Sequence, residues 1–369
     1  MLYGIKNLKQ INEVFKRLNN LRRWTEFATE ERYDEISKQA LNCCICYILA
    51  TEAEAKGVDI KWERFPIIAL YRAFQKAYVN YDTPEHILRD ICELGGLPFE
   101  QVFRRATFEV IAELTDEAFA STLEQGCGTA EEEIYKAATK IATLIELKEI
   151  KHNVNGDYDK KYDEVIKSML KYEHIPGFTN LSDKDGNYFK LFSKISKLRN
   201  QNRWAAYSYR VSCSVLGHLF DTGIFAYVMA LEEGLSEEIA TKCFFMGIFH
   251  DIPEAFTKDI PSPIKDRIPG FRELTEKYEL QMMEKNVYPL VSDEVKLALQ
   301  KIMFEEEGNE EFKTLMKGAD YMSAVSEIWR QRQDNQFSRA MLNHGKKFEN
   351  GIAKITDSAE TLYKELMGG

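Results

Sequence analysis

The feature that most constrains this chain is that it repeats itself. LKQINEVFKRLNNLRRWTEF is echoed by YFKLFSKISKLRNQNRWAAY, which sets Arg23-Trp24 against Arg203-Trp204, 180 residues apart. The same spacing pairs Tyr47 with Tyr227. LYRAFQKAYVNYDTPEHI lies against FHDIPEAFTKDIPSPIKD, with Tyr71 opposite His250 at an offset of 179, and KIATLIELKEI against KGADYMSAVSEI, with Thr143 opposite Asp320 at 177. Amphipathic helices resemble one another by chance, but these matches keep one order and include a tryptophan and a proline that periodicity does not require. They predict two tandem copies of one domain.

Apolar residues recur at spacings of three and four nearly throughout, the nine prolines are sparse, and β-branched alternation is hard to find, so the fold class is all-α. A length of 369 residues with 44% hydrophobic content exceeds the needs of one core, which agrees with two units. Polar breaks at HNVNGDYDKKYDEV and HIPGFTNLSDKDGNY divide the pattern, and the second is the expected boundary, giving domains 1–178 and 179–369. Ser236 before Glu237-Glu238 and Ser292 before Asp293-Glu294 read as helix starts.

The N-terminal stretch MLYGIKNLKQINEVFKRL carries charges throughout and reads as an amphipathic helix, not a signal sequence, so the expected location is cytoplasmic. Seven cysteines without paired spacing read as reduced thiols, and CCIC as helix packing in preference to a thiolate metal site. A net charge of −10 disfavours binding to a nucleic-acid polymer or an anionic membrane. A small phosphate ligand stays compatible with it, because one dication and one arginine reverse a local field.

The chemistry concentrates in the second half. LSEEIATKCFFMGIFHDIPEAF reads as a helix whose inward stripe runs Ile239, Cys243, Met246, His250 and Glu254, with Asp251 about 100° round from His250. Pro253 should leave the Phe249 carbonyl without its helical partner. A His-Asp dipeptide alone is weak evidence, since a histidine in an apolar stripe is more often a satisfied core residue. However, His218 lies in a second apolar helix, VSCSVLGHLFDTGIFAYVMAL, and Asp320 in a third, FKTLMKGADYMSAVSEIW. A buried carboxylate needs a charge partner, and a metal shared with His218, His250 and Asp251 would supply one.

Arg203-Trp204, His218, HDIPE at 250–254, Asp259, IPSPIK at 260–265 and LMKGADYMSA at 315–324 together resemble the HD-domain phosphohydrolases, and within them the YfbR-like 5'-deoxynucleotidases. The resemblance covers the C-terminal half and implies a tandem pair of HD-like helical bundles. It implies that His218, His250, Asp251 and Asp320 hold one divalent cation, with Mn, Co, Fe, Ni or Zn suiting two imidazoles and two carboxylates better than Ca. It gives Glu254 the acid/base role on a metal-activated water, with Asp259 supporting that water. Arg203 becomes a phosphate clamp and Trp204 a wall near the sugar that would disfavour a 2'-hydroxyl. Read from the residues alone, the bland alternatives are a solvated helix-end cation for Arg203 and a core anchor for Trp204. The stretch RVSCSVLGHLF departs from the family's polar pattern at Val211, Gly217 and Leu219, so support for His218 is expected to differ.

The implied activity is removal of phosphate from (deoxy)nucleoside 5'-monophosphates, small-molecule substrates. Hydrolysis of nucleoside triphosphates or alarmones is the alternative chemistry, and a non-catalytic nucleotide sensor or scaffold the alternative class. In the first half the corresponding positions are Lys38, Tyr71, Arg72, Gln75, Asn80 and Thr143, which cannot form a divalent site. YfbR-like enzymes pair as homodimers, so this degenerate half is expected to serve as a built-in partner in a pseudo-dimer. Lys38 and Arg72 would alternatively make an anion pocket.

Overall fold

The computed structural model describes residues 5–364 apart from 82, 151–156, 206, 208–211, 259, 261, 304–309, 334–338, 353, 356–359 and 362. Among the described residues every regular element is helical. The first half contains α1 (Ile5–Asn20), α2 (Glu35–Ala55), α3 (Arg64–Phe74), α4 (Glu85–Leu94), α5 (Phe99–Leu114), α6 (Glu117–Glu124), α7 (Ala130–Ile150) and α8 (Asp157–Met169). The short α9 (Phe178–Ser182) lies at the expected boundary and leads to α10 (Asn187–Ile195). The second half continues with α11 (Val215–Glu232), α12 (Glu237–Phe249), α13 (Glu254–Thr257), α14 (Ser262–Arg267), α15 (Phe271–Asn286), α16 (Asp293–Met303), α17 (Glu310–Gln333) and α18 (Arg339–Ile352). As expected, Ser236 caps α12 by accepting from Ile239 N, and Ser292 accepts from Val295 N at the start of α16.

Local geometry repeats with the sequence. Arg22 bridges Asp34 before α2, and Asn202 bridges Ser214 before α11, the two later residues capping their helices. Trp24 and Trp204 both take left-handed backbone, at φ 59° and 60°, a conformation that costs an ordinary L-residue roughly 1–2 kcal/mol. Each is compensated by its indole Nε1, which donates to a buried glutamate, Glu146 at 2.9 Å and Glu327 at 2.6 Å.

The halves pack through α2 against α11. Ser37 Oγ lies 2.8 Å from Ser214 Oγ, and Arg32 Nη1 donates to the Ser212 carbonyl at 3.1 Å. Asn19 Nδ2 approaches Cys213 Sγ at 4.0 Å while Arg199 sits 4.7 Å over the Tyr33 ring. Shifting both members of the first pair by 180 in opposite senses gives the second, the reciprocity of a two-fold interface. Gly217, where the resembled family has glutamate, is explained by this packing, because a Cβ there would lie 2.9 Å from Ile36 Cγ2.

α11 is long and apolar enough to cross a membrane, but 89% of that stretch is buried inside the protein, where it serves as the central core helix. α12 is buried nearly all round, not along one stripe, because α11, α2, α16 and α17 all pack on it. Its approach to α11 is backbone to backbone, since a Cβ on Gly247 would lie 2.6 Å from Gly223 Cα. This contact carries the C-terminal end of α12, and therefore His250, to the flank of His218 on α11. Gly247→Ala is expected to destabilise the protein by about 1–3 kcal/mol through overpacking against backbone that cannot yield. Urea unfolding measures it, and the midpoint should fall.

Candidate metal centre

The helix expected to continue through Glu254 instead ends at Phe249. Pro253 is the physical reason, but the Phe249 carbonyl is not left bare, because it accepts from Ile252 N at 3.0 Å in a tight turn. His250 and Asp251 therefore sit in that turn, and Glu254 opens the new helix α13. The turn exposes His250 and Asp251 partly while Glu254 is buried.

The three ligand atoms of His218, His250 and Asp251 all lie within 4.8 Å of one another. His250 Nδ1 sits 2.8 Å from the Gly247 carbonyl, which can only accept, so Nδ1 carries the proton in the neutral ring. Nε2 then presents a lone pair into the cluster, 3.2 Å from Asp251 Oδ2, and it is buried without an aligned hydrogen-bond partner. A lone pair facing a carboxylate oxygen requires a cation between or beside them. On the chain alone a proton takes that part: burial opposes the charge, but Asp251 and Asp320 outweigh it and raise the His250 pKa to about 9.

His218 is almost wholly buried, with Ser323 Oγ on α17 2.8 Å from Nδ1. Its Nε2 faces Asp320 Oδ1 at 3.1 Å and Asp251 Oδ2 at 3.8 Å. Burial, then the Arg203 charge, lowers its pKa, so it is a neutral imidazole with a lone pair to share. For Asp251 and Asp320 burial opposes ionisation, but the two histidines and Arg203 prevail and hold both carboxyls below their ordinary range. Two imidazoles and carboxylates in this arrangement fit a borderline divalent ion. Asp320 joins through His218 and stands outside the mutually close group of three.

Arg203 and Trp204 share one anchor that sequence reasoning missed. Glu327 Oε2 accepts from Arg203 Nε at 3.2 Å and from Trp204 Nε1 at 2.6 Å, and its other oxygen lies 3.9 Å from His218 Nδ1. The signal was present: Glu327 follows Asp320 by seven residues, two turns along one face of α17. Burial opposes the Arg203 charge, but Glu327, Asp320, Asp251 and Glu254 raise its pKa further above the ordinary value, which brings Glu254 into the same field. The Glu254 carbonyl accepts from Gln201 Nε2 at 3.0 Å, which fixes the start of α13. Asp259 lies outside the described residues.

The first half has the same anchor with a different outcome. Arg23 reaches Glu146 through Nε and Glu35 through Nη1, at 3.0 and 2.8 Å. Val215 stands 180 residues after Glu35, so among the described residues the guanidinium of Arg203 pairs with one carboxylate where Arg23 pairs with two. Glu146 opposite Glu327 is an offset of 181, which puts Thr139, one turn from Thr143, opposite Asp320. Arg72 is engaged by Glu132 and by Gln75 Oε1, so it does not supply the anion pocket it suggested.

Residues 190–361 match the sequence model of the 5'-deoxynucleotidase YfbR-like family. The uncharacterised protein YfdR of Escherichia coli (strain K12) is 32% identical over 88 residues, 23% of this chain and 47% of that protein, so the likeness spans about half of the relative's length.

Proposed function

We propose, on the match of residues 190–361 to the 5'-deoxynucleotidase YfbR-like family, that this protein is a metal-dependent phosphohydrolase that removes phosphate from (deoxy)nucleoside 5'-monophosphates. The observation that carries the reading is the buried, unpartnered Nε2 of His250 beside His218 and Asp251. His218, His250, Asp251 and Asp320 would hold one divalent cation, which supplies Lewis-acid polarisation of a phosphoryl oxygen and acidifies water. The chain's own residues do the rest. Ser323 and the Gly247 carbonyl hold the two rings at Nδ1, so that each Nε2 is presented for ligation. Glu254, buried at the start of α13, is the proton acceptor in this reading. Arg203 uses Nε on Glu327, and its terminal nitrogens form the planar fork that suits a phosphate. Asp259 would support the attacking water, as the family resemblance implies.

Two tandem copies, 1–178 and 179–369, form a pseudo-dimer in this reading, with the first half a structural partner that holds no divalent ion. The reciprocal contacts across α2 and α11 support it. Elemental analysis of protein purified with Mn or Co should find one metal per chain. Two per chain would contradict the division of labour.

A further inference from the structure

Among the described residues, the non-glycine positions with positive φ are Trp24, Trp204 and Lys258. The two indoles offset that conformation by donating to Glu146 and Glu327. Lys258 has no such compensation. At φ 61° and ψ 162° it occupies a region open in practice to glycine alone. The residue is exposed, and among the described residues its ammonium makes no hydrogen bond or ion pair. Elsewhere the chain meets the same demand with glycine. Gly57, Gly96, Gly234 and Gly270 take φ between 63° and 89°, with open space where a Cβ would lie, so conformation alone accounts for them. A lysine at position 258 keeps a strain that glycine would remove, and nothing in the described fold uses its side chain.

Its place explains what the side chain is for. Lys258 closes α13, the short helix that begins at Glu254, just after the turn holding His250 and Asp251. Its N–H donates to the Glu254 carbonyl at 2.9 Å. The same oxygen accepts from Gln201 Nε2 at 3.0 Å, and Gln201 lies two residues before Arg203. One carbonyl therefore ties the Lys258 backbone both to α13 and to the segment that carries the guanidinium assigned to phosphate. Thr257 Oγ1 donates to the Lys258 carbonyl at 3.1 Å, so the strained residue is held by its own surroundings. A compact charge on a flexible four-carbon stem can follow an anion that enters beside it.

We propose that Lys258 is a further substrate-binding residue, its ammonium pairing with the phosphate of the nucleoside 5'-monophosphate that Arg203 also holds. The inference rests on the phosphohydrolase reading for its ligand, and on the backbone of Lys258 for its position. Arg203, fixed by Glu327, is the rigid partner of that phosphate, and Lys258 the adaptable one.

Three substitutions in the full chain, with phosphate release from deoxyadenosine 5'-monophosphate and added Mn as the readout, test it. Lys258→Gln keeps the strained backbone and removes the charge, so KM should rise about tenfold, as for loss of one charge-assisted hydrogen bond, while kcat changes less. Lys258→Arg should retain most of the affinity. Lys258→Gly relieves the strain and removes the charge together, so the thermal midpoint should rise by about 2 °C while KM rises as in the glutamine variant. KM unchanged in Lys258→Gln, or a midpoint that does not rise in Lys258→Gly, would overturn the inference. If the wild type releases no phosphate, the phosphohydrolase reading fails by itself, and titration calorimetry with the same nucleotide decides about Lys258. Affinity that falls about tenfold in Lys258→Gln sustains it, and no binding or equal affinity overturns it.

Discussion

Asp251→Ala is expected to strip the protein of its metal and to reduce phosphate release by roughly a thousandfold or more, about 4 kcal/mol of transition-state stabilisation. The size of the effect follows from where the carboxylate sits. Asp251 Oδ2 lies 3.2 Å from His250 Nε2 and 3.8 Å from His218 Nε2, so it is the anion common to both imidazoles. Without it, two neutral rings and Asp320, which contacts His218 but lies outside the mutually close group, remain, with too little negative charge to hold a dication against water. Fold should survive, because Asp251 is partly exposed in a turn and holds no helix together. Metal content by elemental analysis, read beside circular dichroism, separates the outcomes. A folded variant that keeps its metal would show that the cation is held elsewhere.

The largest expected effect on stability lies at Glu327. Glu327→Ala should cost about 3–5 kcal/mol, because it removes the carboxylate that directly pairs with the largely buried Arg203 guanidinium. It also removes the acceptor that holds the Trp204 indole and with it the compensation for a left-handed backbone. Glu327→Gln is the more informative partner. It retains an acceptor for Trp204 while removing the charge that fixes Arg203, so the fold should persist while KM for a nucleotide rises more than kcat falls. A loss confined to kcat would place Glu327 outside phosphate positioning. Denaturant unfolding of the alanine variant and steady-state kinetics of the glutamine variant read the two effects separately.

Much of this was legible in the residues. Helical periodicity gave the all-α class, and two caps were found from a serine followed by acids, since the signals act within one turn. His218, His250, Asp251 and Asp320 were chosen as polar groups in apolar helices, and the fold brings three of them into one close group, with Asp320 touching His218. Pro253 signals a freed Phe249 carbonyl, but neither the end of α12 at Phe249 nor the turn that follows is legible, because the sequence does not say which N–H will take that carbonyl. Glu327 escaped notice for another reason. Its partners, Arg203 and Trp204, are more than a hundred residues away, and only tertiary packing joins them. The same limit hid the contrast between Glu35 and Val215, a pair at the right offset whose meaning depends on which arginine each would touch.

The departure at Gly217 shows how one residue answers to two demands. Glycine there lets α11 approach Ile36 of the first half, and in this chain support for the His218 ring comes from across the site, from Ser323 on α17. Packing between the halves and positioning of the His218 ring are therefore linked through α11. In the proposed pseudo-dimer one half is free to specialise, and the closed Arg23–Glu35–Glu146 arrangement beside the Arg203–Glu327 pair fits that proposal.

The second half is proposed to hydrolyse nucleoside 5'-monophosphates through the His218–His250–Asp251–Asp320 centre. Phosphate release from a panel of ribo- and deoxynucleoside 5'-monophosphates with added Mn or Co, compared between wild type and the His250→Ala/Asp251→Ala variant, tests it most directly. Metal-dependent release by wild type, abolished in the variant and favouring deoxy substrates, is the predicted result. No release from any member of the panel, or release that survives the double substitution, would contradict it.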